Sequence, residues 1–259
     1  MNDVDKLDDF LQGMHSNSFL TEDQENIFFI TNFKKINSSQ PVIIFNYGLV
    51  CSHLHWKYQV SFFTQMGYQV LLHDYRGHFR SSGKDQIDKI TFKQVAKDIA
   101  DLCDYLKIKK NILIGHSMGV NICLQFAKDY PSYVEEMILI SGTFLNVQDV
   151  MFDSNIMDFI APLAEDALKK YPEIFRKIWS LSGKNRLVQE IIHLTGFNKK
   201  QVPKEFIDLY LNRVGELGAD LFFQLFKEMS LHHLTGYLEQ MNIPSLVIGG
   251  YRDYVIPNH

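Results

Sequence analysis

Asn111-Ile112-Leu113-Ile114-Gly115-His116-Ser117-Met118-Gly119 carries an apolar run directly into Gly-x-Ser-x-Gly. That order is the pattern of a nucleophile elbow, a serine on the sharp turn between a buried strand and the next helix. The turn forces strained backbone geometry on the serine and exposes its hydroxyl. Gly115 and Gly119 let the neighbouring backbones come as close as such a bend requires. Five residues with two free positions also match by chance, so the flanks carry the weight. Ile112, Leu113 and Ile114 form the strand run, while Val120, Cys123, Leu124 and Ala127 recur at helical spacing until Pro131 stops the helix. Strand, bend and helix in succession imply Ser117 as a nucleophile at a strand's carboxyl end.

Outward from this stretch, Val42 to Phe45, Gln69 to Leu72, Met137 to Ile140 and Ser245 to Ile248 are short, continuously apolar runs. Parallel strands covered on both faces have this composition. Ser18 to Thr21 and Ile27 to Phe33 suggest an opening antiparallel pair, and Val4, Leu7, Leu11 and Met14 a short helix before it. Gln59 to Met66 is a modest helix candidate; Phe92, Val95, Ala96, Ile99, Leu102, Cys103 and Leu106 make a strong one. The expected fold is therefore α/β, a mostly parallel central sheet with helices on both faces and right-handed crossovers. From about Phe144 to Tyr237 the alternation stops and the chain becomes helical, with Pro162, Pro172 and Pro203 and Gly183 and Gly196 dividing it into short helices. Within it, Phe159 and Ile160, Phe175, Ile178 and Trp179, Leu187, Val188, Ile191 and Ile192, and Leu221 to Met229 repeat at helical spacing. Residues 1–143 and 238–259 then form two parts of one core and 144–237 an inserted helical cap over the strands' carboxyl ends, where ligands bind.

The 259 residues, 46% of them hydrophobic, can bury a full core. The net charge of −4 and the lack of a concentrated basic face argue against a nucleic-acid partner. The acidic start at Asp3, Asp5, Asp8 and Asp9 has none of the zones of a secretory signal, and no apolar run reaches membrane-spanning length, so the expected location is cytoplasmic. Cys51, Cys103 and Cys123 are odd in number and lack metal-type spacing, which suggests reduced, packed thiols.

These motifs together resemble the α/β-hydrolase family, in its capped, single-domain, esterase-like branch, over nearly the whole chain. The family's order of serine, acid, histidine implies an acid on the loop after a late strand. Asp253, at the end of Pro244-Ser245-Leu246-Val247-Ile248-Gly249-Gly250-Tyr251-Arg252-Asp253, matches it. The resemblance further implies an oxyanion hole of the Met118 and Leu49 backbone N–H groups, with no metal and no organic cofactor. Asn46-Tyr47-Gly48-Leu49 resembles the family's His-Gly-x turn with tyrosine in place of histidine. Asp74-Tyr75-Arg76-Gly77-His78-Phe79-Arg80-Ser81 resembles its Asp-x-Arg-Gly-His-Gly-x-Ser loop with Phe79 for the second glycine, an ion-paired structural turn. Trp56 fits the family pattern as a packing residue.

The family's general base has no match. His259 stands six positions after Asp253, too near to pair with it and also reach over Ser117; His53, His55, His116, His232 and His233 are weaker candidates. The catalytic histidine is accordingly expected beyond residue 259, together with a last strand and helix, and the chain as given is expected to be poorly active. The activity implied is hydrolysis of small to medium lipophilic carboxylic esters through an acyl-serine. Thioesterase, acyltransferase, cofactor-free haloperoxidase and carbon–carbon bond hydrolase branches share that serine arrangement, and a non-catalytic ligand receptor on the same fold is the alternative of another class.

Overall fold

The computed structural model describes residues 8–151, 156–181, 202, 204–253 and 255–257. Seven strands form one sheet in the order β1-β2-β4-β3-β5-β6-β7: β1 His15–Leu20, β2 Asn26–Thr31, β3 Val42–Asn46, β4 Gln69–His73, β5 Asn111–His116, β6 Val134–Ile140 and β7 Ser245–Ile248. β1 pairs antiparallel with β2 and β2 with β4, and every pairing from β4 through β7 is parallel. The parallel runs read from composition thus fall on the strands observed. β3 and β4 are buried at every residue, the condition for a strand covered on both faces.

β7 departs from that expectation. It lies at the sheet edge, with Leu246, Val247 and Ile248 exposed by 54%, 75% and 44%. An apolar run records what a strand is suited to pack against, and pairing with β6 alone leaves these side chains in the open.

Helices α1 Lys57–Gln65, α2 Phe92–Leu106 and α3 Met118–Asp129 alternate with the strands. α2 starts at Thr91, whose side chain accepts from Gln94 N, and buries Phe92, Val95, Ala96, Ile99, Leu102 and Cys103, the stripe read from its periodicity. The described part of the N-terminal stretch is a single 3-10 turn, Asp8–Leu11, rather than a helix through Met14, because Gly13 at φ +81° turns the chain into β1. Val4 and Leu7 lie outside the described residues.

The segment between β6 and β7 is helical where described, with α4 Ile156–Lys170, α5 Pro172–Ser180, α6 Lys204–Leu217 and α7 Ala219–Leu231. Pro172 opens α5, as its fixed φ favours. Pro162 does not divide the segment as expected; α4 runs through it. The one backbone bond a proline removes is outweighed there by the remaining turns. Gly183, Gly196, Pro203 and the stripe from Leu187 to Ile192 lie outside the described residues. α7 is fastened to the core, since Gln224 Nε2 donates to Ile90 O at 3.0 Å and Phe92 N to Glu228 Oε2 at 3.1 Å.

Candidate active site

β5 delivers the chain to Ser117 and α3 begins at the next residue. Ser117 takes φ +53° and ψ −122°, a region an L-residue enters only under constraint. The constraint is visible on both sides. Ser117 N donates to Ile140 O of β6 at 3.0 Å, and Val120 N to Ser117 O at 2.9 Å. The flanking glycines explain themselves: a Cβ on Gly119 would stand 2.1 Å from Asn46 O, and one on Gly115 2.5 Å from Gly119 O. Gly142, not singled out in the sequence, is equally necessary, since its Cβ would meet Val120 at 2.5 Å and Ser117 O at 2.9 Å. The Ser117 side chain is half-buried, and among the described residues its hydroxyl has no hydrogen-bond partner.

The loop after β3 packs onto this bend. A Cβ on Gly48 would lie 3.0 Å from Ser117 Cβ. Neither Leu49 N nor Met118 N donates to any acceptor among the described residues. For Met118 this follows from position, because the first N–H groups of a helix lack intrahelical partners. Val50, the next residue of the loop, is buried at φ +58°, a second point of strain beside the serine.

Tyr47, the departure from the histidine pattern, holds the loop by a reciprocal pair. Tyr75 N donates to Tyr47 Oη at 3.1 Å and Tyr75 Oη to Tyr47 O at 2.9 Å. Their rings lie 4.3 Å apart. Phe79, the departure from glycine, retains the left-handed backbone that glycine would favour, at φ +32°. Its ring is 6.5 Å from that of Tyr47 and carries the Arg213 guanidinium of α6 at 4.5 Å. The two replacements therefore meet, and one of them receives Arg213 from the helical segment between β6 and β7.

The Asp74 to Ser81 loop is ion-paired at Arg76. Arg76 Nε and Nη2 donate to both oxygens of Asp98 at 2.6 Å, and Nη1 donates to Asp23 at 2.9 Å. Burial pushes the Asp98 carboxyl up, the Arg76 bonds opposing it. Sequence reasoning missed Asp98, although a lone acid on the apolar stripe of α2 was the available signal. Asp74 accepts from His53 Nδ1 at 3.2 Å and from Arg80 N at 3.3 Å. Burial alone would raise the Asp74 carboxyl, but the His53 contacts overcome it and hold it below its usual value.

Asp253 lies beyond the carboxyl end of β7. Ile140 pairs with both His116 and Ile248, so the carboxyl ends of β5 and β7 lie level in the sheet, two strand spacings or about 10 Å apart, with Ser117 directly after the first and Asp253 on the loop after the second. Asp253 Oδ1 accepts from Val255 N at 3.0 Å and Ile256 N at 2.9 Å, which fixes the carboxylate in its loop. No described imidazole joins the two residues. His53 is bound to Asp74 and His232 to Asn121 and Gln125, each at 3.1 Å, while His233 contacts Thr235. His259 lies outside the described residues.

His116 stacks on His55 with ring centroids 4.4 Å apart. Burial pushes His116 down to about 4 and His55 to about 3, and both are neutral. Their ring nitrogens and Cys51 Sγ lie within 4.8 Å of one another. Cys103 and Cys123 are buried free thiols, in keeping with the packed role expected of them.

Strand order, elbow geometry and a match of residues 41–259 to the alpha/beta hydrolase fold family model agree. The chain belongs to the alpha/beta hydrolase fold family. Among curated relatives of this alpha/beta hydrolase, human Protein ABHD8 is 38% identical over 101 residues, 39% of this chain. That alignment spans only 23% of the relative's length. The bifunctional esterase/perhydrolase DCH of Acinetobacter calcoaceticus is 29% identical over 227 residues, covering 84% of this chain and 76% of that protein. The crystal structure of a bacterial membrane phospholipase A shares the fold at a TM-score of 0.70 and 17% identity, covering 98% of this chain and 75% of the other. No helix among the described residues is long and apolar enough to cross a membrane.

Proposed function

We propose that this alpha/beta hydrolase cleaves carboxylic esters of small to medium lipophilic substrates through an acyl-serine intermediate. The observation that carries the proposal is the strained Ser117 backbone, which presents a hydroxyl free of described partners beside two N–H groups free of described acceptors. Ser117 attacks the ester carbonyl, and the Leu49 and Met118 N–H groups hold the charge that develops on the carbonyl oxygen. Asp253 orients an imidazole that takes the serine proton and returns it to the leaving alcohol. That imidazole is not among the described residues. Water then releases the acid from the acyl-enzyme. Residues 144–237 act as a cap whose apolar walls reward buried carbon surface.

Turnover of p-nitrophenyl acetate, butanoate and hexanoate by the protein and by Ser117→Ala tests the proposal. A loss of at least a hundredfold in the variant is expected, and equal rates sink it. That no described imidazole bonds to Ser117 or Asp253 gives the receptor alternative its one specific support. Thermal stabilisation by such esters, with no turnover in either protein, would favour that alternative.

A further inference from the structure

Three potential ligand atoms meet beside the nucleophile from parts of the chain that the sequence keeps apart. Cys51 follows the loop of β3, held by its N–H to Gly48 O at 3.0 Å. His55 sits in the 3-10 turn His53–Trp56, and His116 ends β5. Their Sγ and ring-nitrogen atoms lie within 4.8 Å of one another, and all three residues are half-buried. His116 Nδ1 is shielded from solvent and has no hydrogen-bond partner among the described residues, a lone pair or proton with nothing to answer it. A Cβ on Gly48 would stand 3.2 Å from that nitrogen and 3.0 Å from Ser117 Cβ, so the cluster adjoins the reacting serine.

We propose that Cys51, His55 and His116 bind a zinc ion that switches off chemistry at Ser117; the switching half rests on the ester-hydrolase proposal, the binding half does not. One sulfur and two imidazole nitrogens suit zinc, whereas magnesium and calcium require oxygen ligands. Zinc–ligand bonds of about 2.0 to 2.3 Å imply ligand atoms roughly 3.5 Å apart, so the three must close by about 1 Å. The rings are stacked with planes 25° apart, and one imidazole has to turn for both lone pairs to meet at the ion. A neutral imidazole donates its ring lone pair to such an ion, and a cysteine binds it as the thiolate. Binding therefore forms the zinc–sulfur bond as the thiol proton leaves to solvent. Cys51 lies two residues after Leu49 and His116 one before Ser117, so closing the cluster moves the oxyanion donor against the nucleophile. A misplacement of that size costs about a hundredfold in rate.

Cobalt(II) substitution of the Ser117→Ala protein reads binding without any catalysis. A thiolate-to-cobalt charge-transfer band with intense tetrahedral d–d absorption is expected, displaced by zinc, abolished in Cys51→Ser and weakened at least tenfold in His55→Gln. Absence of that band, or its survival in Cys51→Ser, overturns the site. With wild-type protein, zinc that displaces cobalt should lower p-nitrophenyl ester turnover at least tenfold; zinc bound without inhibition overturns the switch. Absence of ester turnover even without metal would fall on the hydrolase proposal and leave the cobalt result to decide the site.

Discussion

Mild acid should destabilise this protein well above the carboxylate range. Burial pushes His73, His78, His116 and His232 down to about 4, and His55 to about 3. Each is native in its neutral form. Above the ordinary histidine value of 6.5 neither folded nor unfolded chain is protonated there, and nothing is lost. As pH falls through 6.5 the unfolded chain takes up protons that the native chain refuses until about pH 4, so stability drains across that window. At pH 5.5 one such histidine costs about 1.4 kcal/mol, and five together about 7 kcal/mol. Total stability of a domain is about 5 to 15 kcal/mol, so the five together exhaust it near about pH 6 at the lower figure and only below about pH 5 at the upper. The raised Asp98 opposes this loss. Urea unfolding followed by circular dichroism at pH 7.5, 6.5 and 5.5 measures the slope directly. His232→Gln, able to keep hydrogen bonds to Asn121 and Gln125, should reduce the loss between pH 7.5 and 5.5 by about 1.4 kcal/mol in total. A free energy of unfolding equal at pH 7.5 and 5.5 within 1 kcal/mol would refute the reasoning.

Two further outcomes follow from the elbow. Gly119→Ala places a Cβ 2.1 Å from Asn46 O, on a backbone locked into register with Gly115, so a loss of at least about 3 kcal/mol by chemical denaturation is expected. A loss below 1 kcal/mol would show that β3 and α3 part easily. Ser117→Gly relieves a strained residue at φ +53° and should raise Tm by about 2 to 4 °C in calorimetry, while abolishing ester turnover; a lowered Tm would contradict stored strain.

The strands were legible because each element's apolar run is a local property, and β3, β4 and β5 appear where composition placed them. Ser117 with Gly115 and Gly119 was legible for the same reason, since the elbow is built from consecutive residues. Pro162 and Gly13 were misread in opposite directions. The first was expected to end a helix that continues, and the second stops one expected to reach Met14. A proline's cost is set against all the turns around it, whereas a left-handed glycine redirects the chain at once.

Primary structure alone determined the family, the alternating architecture and the serine on its bend, because each is written in neighbours along the chain. Only tertiary structure decided that Asp98 answers Arg76, that Tyr47 and Tyr75 brace the loop reciprocally, and that Cys51 and His55 stand against His116. Those partners lie 22 to 65 residues apart, and no local periodicity encodes which side chains a twisted sheet will bring within a few ångströms. Burial decides the rest, since an imidazole's charge depends on the solvent that the packed core excludes.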